Sequence, residues 1–323
     1  MRRFVAGRLA QAAIVVFLVT TVTFVLVHLA PGDPFATALA RPGITEALRQ
    51  QQREAFGLDR PLGEQYLRWI GNAARGELGW SISFNRPVRD VIADALPRTL
   101  LLVGLSLALS FALGIVVAVL QTERPGGRRD RWLGRILLLL YSVPDFWLAL
   151  VVLLIFAYWL PIFPPSGIVD PVRHDYMSFS GRLLDRLSHL VLPVTTLTLL
   201  ATAAISRHQR SALMEVMPSD WMRTAIAKGM SRRSAVRRHA LRNALLPSIT
   251  LAGLYLPALA AGALFVEKVY SWPGMGLLAA NAIVARDYPL VTATVLVSSV
   301  AVALGALLAD VAVGAADPRI RVS

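Results

Sequence analysis

Cysteine is absent from this chain of 323 residues, and lysine occurs only at positions 228 and 268. The lack of cysteine excludes disulfide bonds and thiolate metal ligands. A phosphate-binding loop of the G-x-x-x-x-G-K-[ST] type requires a glycine before its lysine, whereas Ala227 and Glu267 precede the two lysines here. The chain therefore cannot hold ATP in such a loop, and any ATPase that acts with it must be another polypeptide.

Catalytic signatures are also missing. The five histidines include no pair spaced four residues apart, and neither H-E-x-x-H nor G-x-S-x-G occurs. These absences argue against an intramembrane protease. A secondary transporter is a further alternative, but the two halves show no repeat, and Asp145 is the only acid well inside an apolar run.

Apolar residues dominate what is present. Hydrophobic residues make up 55% of the chain and the mean hydropathy is +0.57, values typical of a polytopic membrane protein. A membrane span requires about 20 predominantly apolar residues. Six runs satisfy this requirement, so both termini are expected on one side of the membrane. They cover residues 9–30, 99–120, 136–160, 187–205, 244–266 and 289–313.

The formal net charge of +13 would suggest a nucleic-acid partner if the protein were soluble. The arginines instead collect before the first run, between the second and third runs, and between the fourth and fifth. All three groups lie on one side if the N-terminus is inside, as the positive-inside rule requires. The charge therefore predicts cytoplasmic termini and contact with the lipid bilayer, with no nucleic-acid partner.

The densest basic segment, residues 220–247, has an internal order. Seven Arg and Lys side chains lie between positions 221 and 247 without an acid among them. Small residues precede Lys228-Gly229, and a glycine at that point allows a helix to end and the chain to turn. A second helix-like piece begins at His239 and is expected to end at Leu246-Pro247.

This pattern resembles the EAA loop of permeases from binding-protein-dependent ATP-binding-cassette (ABC) importers, in the dipeptide, oligopeptide and nickel branch. The branch reads R-T-A-x-A-K-G and, after nine intervening residues, H-A-L-R-N-x-x-x-P. Further similarity extends from Pro31 to Arg321, including residues 57–61, 76–79, 267–277 and 285–289. The matching loop residues are Arg223, Thr224, Ala225, Ala227, Lys228, Gly229, His239, Ala240, Leu241, Arg242, Asn243 and Pro247.

The resemblance implies an all-α polytopic fold of the type I importer class, with six transmembrane helices in a bacterial inner membrane. It implies an N-terminal transmembrane helix at 1–30, an extracytoplasmic domain at 31–97, a transmembrane core at 98–314 with a cytoplasmic coupling loop at 208–243, and a cytoplasmic tail at 315–323. The implied partners are a second homologous permease subunit, two ATP-binding subunits and an extracytoplasmic substrate-binding protein. ATP and Mg²⁺ are expected on the ATP-binding subunits, and no cofactor on this chain.

The loop is expected to form a short coupling helix that docks on an ATP-binding subunit and transmits its closure. The alternative is a solvated basic loop that serves only to orient the protein. The predicted coupling residues are Glu215, Asp220, Arg223, Thr224, Ala225, Ala227, Lys228, Gly229, Met230, His239, Arg242, Asn243 and Pro247.

Two further segments are candidates for the pathway or its gate. In the third run, Pro144, Asp145 and Phe146 combine a helix break with an acid. Asp145 lies either on the pathway or at a hydrated cytoplasmic edge beside Arg135, and both interpretations stay open. After the fifth run, Tyr270, Trp272, Pro273, Gly274 and Gly276 allow a tight turn into a short helix that gates the pathway. The alternative there is an aromatic belt at the lipid headgroups.

The external segment 31–97 is predicted to contain a helix at 64–75, either packed on the membrane surface or in contact with substrate. Substrate class follows from the branch, which handles peptides, nickel complexes, glutathione and oligosaccharides. The absence of cysteine and of a histidine cluster slightly favours di- or oligopeptides. A secondary transporter stays the less favoured alternative, and it needs no ATPase genes beside its own.

Overall fold

The computed structural model describes residues 2–29, 60–255 and 263–316, and most of them are helical. π-helical turns occupy Leu154–Trp159 and Val236–Ala240. A short antiparallel hairpin pairs β1 (Trp80–Ser81) with β2 (Arg86–Pro87). In chain order the helices are α1 (Arg2–Leu29), α2 (Leu62–Ala74), α3 (Val88–Glu123), α4 (Arg128–Ser142), α5 (Asp145–Leu153), α6 (Phe179–Val216), α7 (Asp220–Ala227), α8 (Arg232–Ala235), α9 (Leu241–Ala244), α10 (Leu246–Tyr255), α11 (Leu264–Val269), α12 (Met275–Val284) and α13 (Tyr288–Ala316).

Among the described residues, four helices are long and apolar enough to cross a membrane: α1, α3, α6 and α13. They coincide with the first, second, fourth and sixth apolar runs of the sequence. The helical, polytopic membrane architecture is therefore confirmed. The fifth run is occupied at its ends by α10 and α11, but residues 256–262 lie outside the described residues, so the count of six spans stays a prediction.

The third apolar run is not one straight span. The axes of α4 and α5 differ by 107° across a break of two residues, Val143 and Pro144. Pro144 has no backbone N–H and disfavours helical geometry in the residue before it. Val143 is accordingly extended, with φ −87° and ψ 132°. The helix break that Pro144 indicated within the run 136–160 is therefore present.

The centre of the molecule is the long contact between α3 and α6. At Gly114 the two helices approach so closely that an added Cβ would lie 2.7 Å from the Ile205 side chain and 3.2 Å from the backbone nitrogen of Ser206. Ser110 donates to the Thr198 carbonyl across the same contact, at 3.3 Å. Around this pair, α1 packs along α13, and α10 packs on α13 and α6.

The helix predicted in the external segment is present as α2. Tyr66 and Thr21 share a hydrogen bond of 2.5 Å, and the rings of Trp69 and Phe24 lie 5.6 Å apart. Aromatic contacts therefore fix α2 to α1. The domain assigned to residues 31–97 stays a prediction, because 30–59 fall outside the described ranges.

Candidate functional site

A short helix, α7, is present where the coupling helix was predicted, and its two ends are defined by the local sequence. It begins after Ser219, which has extended φ and ψ angles and precedes an acid in the first turn, Asp220. It ends in a Schellman motif: the N–H of Met230 bonds to the Ala225 carbonyl, and the N–H of Gly229 bonds to the Ile226 carbonyl. Gly229 has φ +90°, which explains why a glycine stands there.

One face of α7 is packed into the protein. Met222 is fully buried and belongs to a hydrophobic cluster that we call the coupling core. The core joins the ends of α3 and α6 to the segment that follows α7, so α7 is seated on the helix bundle. Besides Met222, its buried members are Ala118, Val119, Ala212, Leu213, Ala235, Val236, Ala240 and Ala244.

The other face of α7 is open. Arg223, Thr224, Ala227 and Lys228 are exposed, and Ala225 is half-buried. An added Cβ at Gly229 meets no atom within 4 Å. The close approach to a partner that was expected at Gly229 is therefore not made by any described part of this chain. Within the chain, a glycine is required at this position only by its positive φ angle. Glu215 and Asp220, at the two sides of the turn before α7, are also exposed, and Met230 is half-buried.

The second half of the loop is longer than the sequence indicated. Helical structure runs from Arg232 to Ala244, within which Arg242 and Asn243 are exposed and His239 is half-buried. The helix was expected to end at Leu246-Pro247; α9 ends two residues earlier, at Ala244, and α10 begins at Leu246. A proline is tolerated in the first turn of a helix, where its missing N–H has no intrahelical acceptor.

Buried polar bonds attach this segment to α6. The side chain of Gln209, which is fully buried, donates to the Ala244 carbonyl at 3.0 Å and accepts a hydrogen bond from Ser248. The loop is thereby held at its far end as well as by Met222.

Two acids that no sequence pattern marked bind arginines of the basic loop and of α6. Arg237 donates to Glu123 at 2.7 Å, and Arg233 lies 3.5 Å from the same carboxylate. Arg210 pairs with Asp130 at 3.0 Å. Glu123 is the last residue of α3 and Asp130 lies in the first turn of α4, so these contacts join the basic side chains to the two helix ends that flank the α3–α4 turn. The stretch between positions 221 and 247 contains no acid of its own, so its arginines find their acidic partner elsewhere in the chain.

The predicted gate segment is organised by a buried carboxylate, Glu267. It accepts hydrogen bonds from Thr99 at 2.9 Å and from the backbone N–H of Leu277 at 2.8 Å. Thr99 in turn accepts from the Met275 N–H at 2.7 Å. An added Cβ at Gly274 would collide with both the Glu267 carboxylate and the Thr99 hydroxyl, and one at Gly276 would lie 2.9 Å from the Leu264 backbone. Only glycine fits at these two positions.

The aromatic residues of the gate are buried inside the protein, which rules out the headgroup-belt interpretation for both. Tyr270, 2% exposed, shares a hydrogen bond with Thr196 and donates to the Ala149 carbonyl. Trp272, 3% exposed, donates to the Arg98 carbonyl at 3.2 Å. Pro273 completes the turn, and α12 begins at Met275 as the predicted short helix.

The loop between α5 and α6 packs on this gate segment. Its Gly167 N–H donates to the Tyr270 carbonyl at 2.9 Å, and Ile168 packs against the cluster that contains Trp272. Further along the loop, backbone N–H groups of Arg173 and Val172 hold the pKa of the half-buried Asp170 carboxyl below its usual range.

A second buried acid holds the external hairpin. Asp287 accepts hydrogen bonds from the hydroxyls of Ser81 and Ser83, both at 2.6 Å, and its backbone precedes α13. The hairpin is thereby fixed to the turn between α12 and α13. No sequence pattern had indicated a structural role for Asp287.

Pro144, Asp145 and Phe146 lie on the surface at the bend between α4 and α5. The proposed Asp145–Arg135 pair is not formed: Arg135 lies over the Trp132 ring, 5.6 Å from its centroid. Asp145 occupies the first turn of α5, where a negative charge is favourable. Whether it contacts substrate stays a prediction.

Comparison with known proteins identifies two family models that match the chain. One is described as "Binding-protein-dependent transport system inner membrane component" and matches residues 110–322. The other, described as "Binding-prot-dependent transport system membrane comp, N-term", matches residues 1–103. Together the two models cover nearly the whole chain.

Individual relatives match over almost their full length. The oligopeptide transport system permease protein AppB of Bacillus subtilis is 35% identical over 321 residues, 99% of each chain. The di/tripeptide transport system permease protein DppB of Pseudomonas aeruginosa is 35% identical over 333 residues, again 99% of each. The dipeptide transport system permease protein DppB of Escherichia coli K12 is 34% identical over 336 residues, with the same coverage.

Proposed function

Because this chain belongs to the family of binding-protein-dependent transport system inner membrane components, we propose that it is a permease subunit that imports di- or oligopeptides. The names of its relatives support the peptide class: they describe oligopeptide, di/tripeptide and dipeptide permeases. The chain carries no ATP-binding loop, so its contribution is the passage and its alternating access.

We place it in a bacterial inner membrane as a six-span subunit with both termini in the cytoplasm. Its partners in this proposal are a second homologous permease, two ATP-binding subunits that carry ATP and Mg²⁺, and an extracytoplasmic binding protein. The arginine distribution supports the orientation, and the external segment 31–97 faces the binding protein.

The observation that carries the proposal is the contrast between the two faces of α7, one buried and one exposed. Its inner face is fixed in the coupling core through Met222, whereas its outer face presents small and basic residues such as Thr224, Ala227 and Lys228. A solvated loop has no need of a buried anchor. A helix that transmits force needs both a rigid seat and an open docking face.

The path of transmission follows from where α3 makes its contacts. Near its C-terminal end, Ala118 and Val119 belong to the coupling core. Near its N-terminal end, Thr99 bonds to Glu267 in the gate segment. Thr99 and Ala118 are separated by about 28 Å along a helix, which is close to the ~30 Å thickness of a bilayer core. We propose that α3 couples movement of α7 to opening of the turn around Gly274.

The proposal is tested by uptake. The subunit, its partner permease, the ATP-binding subunits and the binding protein are reconstituted in proteoliposomes, and uptake of a labelled dipeptide is measured with ATP inside. We expect uptake that requires this chain, ATP and the binding protein. Deletion of the gene should likewise abolish growth on a peptide as the sole source of a required amino acid, while the free amino acid still supports growth. Normal peptide use together with loss of nickel-dependent activity would contradict the peptide assignment.

A further inference from the structure

Helix α4 runs across α6 instead of along it. Near the start of α4, Asp130 pairs with Arg210 of α6 at 3.0 Å. Near its end, the Tyr141 ring lies against Arg207 of α6, with 4.8 Å between Cζ and the ring centroid. Asp130 and Tyr141 are separated by about 16 Å along α4, whereas Arg207 and Arg210 are separated by only about 4.5 Å along α6. A helix whose two ends both reach the same turn of α6 crosses it at a steep angle.

This crossing lies at the polar end of α6. The two arginines of α6 that contact α4 follow directly after the apolar run 187–205. Beyond the 107° bend, it is α5 that continues beside α6: the Tyr270 hydroxyl joins Ala149 of α5 to Thr196, about three turns further along α6. Asp145 is exposed at the bend itself, and a carboxylate is costly in hydrocarbon. In the orientation proposed above, α4 therefore lies along the cytoplasmic surface of the membrane.

The side of α4 that faces away from the bundle carries two stripes, because residues three or four apart lie on one face of a helix. The apolar stripe consists of Trp132, Ile136 and Leu139, which are 64%, 49% and 65% exposed. The basic stripe beside it consists of three exposed arginines, Arg128, Arg131 and Arg135.

The basic stripe has no acid to neutralise it. Among the described residues, no carboxylate lies within 4.0 Å of Arg128, Arg131 or Arg135, and Arg135 lies over the Trp132 ring. Cytosol alone would leave Trp132 and Leu139 in water, which is unfavourable for apolar surface. A layer that offers negative charge directly above hydrocarbon satisfies both stripes at once, and a leaflet that contains anionic phospholipid is such a layer.

We propose that α4 binds anionic phospholipid at the cytoplasmic membrane surface. The basic stripe contacts the headgroup phosphates, and the apolar stripe enters the upper part of the acyl-chain region. The proposal rests on the membrane orientation given above and does not depend on which solute the complex imports.

The depth of the apolar stripe tests where α4 lies. Trp132→Cys, Ile136→Cys and Leu139→Cys are made one at a time in this naturally cysteine-free chain, labelled with an environment-sensitive fluorophore, and assembled with cysteine-free partner subunits in lipid nanodiscs. Quenching by nitroxides at a shallow and at a deep acyl position gives the depth of each probe. We expect one shallow depth for all three, whereas a helix that crosses the membrane would separate the first and last probes by about 10 Å.

The probe at Ile136→Cys also measures the preference for anionic lipid. In nanodiscs of mixed phosphatidylcholine and phosphatidylglycerol, spin-labelled phosphatidylglycerol should be enriched about fivefold around the probe relative to spin-labelled phosphatidylcholine. Arg128→Gln, Arg131→Gln and Arg135→Gln, combined in one chain, should remove this enrichment.

The matched control removes the same charge from exposed arginines outside α4, through Arg75→Gln, Arg89→Gln and Arg182→Gln in one chain, and should keep the enrichment. The proposal is overturned by probe depths that spread over about 10 Å, by equal quenching from the two lipids, or by probes that another subunit shields from lipid. None of these measurements requires peptide transport, so their failure is distinguishable from failure of the proposed function.

Discussion

The seat of α7 can be removed by a single substitution, Met222→Ala. Met222 is fully buried in the coupling core, and truncation of a buried methionine to alanine costs about 2–5 kcal/mol. At 1.4 kcal/mol per factor of ten, the population of seated α7 falls about 30-fold or more. With only 8 residues, α7 is far below the ~12–15 residues at which an isolated helix is even marginally stable. An isolated α7 is therefore not stable enough to offset the packing energy lost at Met222.

We therefore expect Met222→Ala to remain in the membrane but to lose most peptide uptake and the stimulation of ATPase activity by substrate and binding protein. Both are measured in proteoliposomes that contain the complete complex. Met222→Leu conserves volume and should stay within about 1.5 kcal/mol of the parent. Met214→Ala is the exposed control, since Met214 is 38% exposed on α6. Full uptake by Met222→Ala, with normal ATPase stimulation, would refute the idea that a seated α7 transmits force.

The positive φ angle at Gly229 predicts that peptide uptake falls in graded fashion with substitution. Gly229→Asn should keep most uptake because Asn tolerates positive φ, whereas Gly229→Val should lose uptake about 5- to 30-fold through roughly 1–2 kcal/mol of backbone strain. Equal losses in both variants would instead indicate steric contact with a docked partner. Gly274→Ala should lower the thermal stability of the complex and abolish uptake, because a Cβ there collides with buried polar groups. The control is Gly71→Ala, in an open helical position, which should be neutral or slightly stabilising. Similar behaviour of the two variants would contradict the geometry described around Gly274. With impermeant maleimide on intact cells, Glu77→Cys should be labelled and Ser234→Cys protected, and the reverse pattern would invert the topology.

The sequence predicted the elements whose signal is local. Apolar length located four of the long helices, and the small residues ahead of Lys228-Gly229 located α7 and its end. A proline in the third run indicated a break, but its 107° angle depends on how α5 packs against α6 and α11, which no local pattern encodes.

The contacts that hold the functional segments together were beyond prediction because their partners are distant in the chain. Arg237 and Glu123 are 114 residues apart, Thr99 and Glu267 are 168 apart, and Ser81 and Asp287 are 206 apart. In each pair an acid looks like an ordinary loop or helix-end residue in the sequence. Only the packing of α3, α6 and the gate turn brings it to its partner.

The central claim is that the outer face of α7 docks on an ATP-binding subunit. The most direct measurement uses the natural absence of cysteine: a single cysteine at Thr224, on the open face of α7, is coupled to a short photoactivated crosslinker in the complete complex. The account predicts an adduct to the ATP-binding subunit whose yield changes when ATP is added. No such adduct, in a complex that still imports peptide and hydrolyses ATP, would contradict the account.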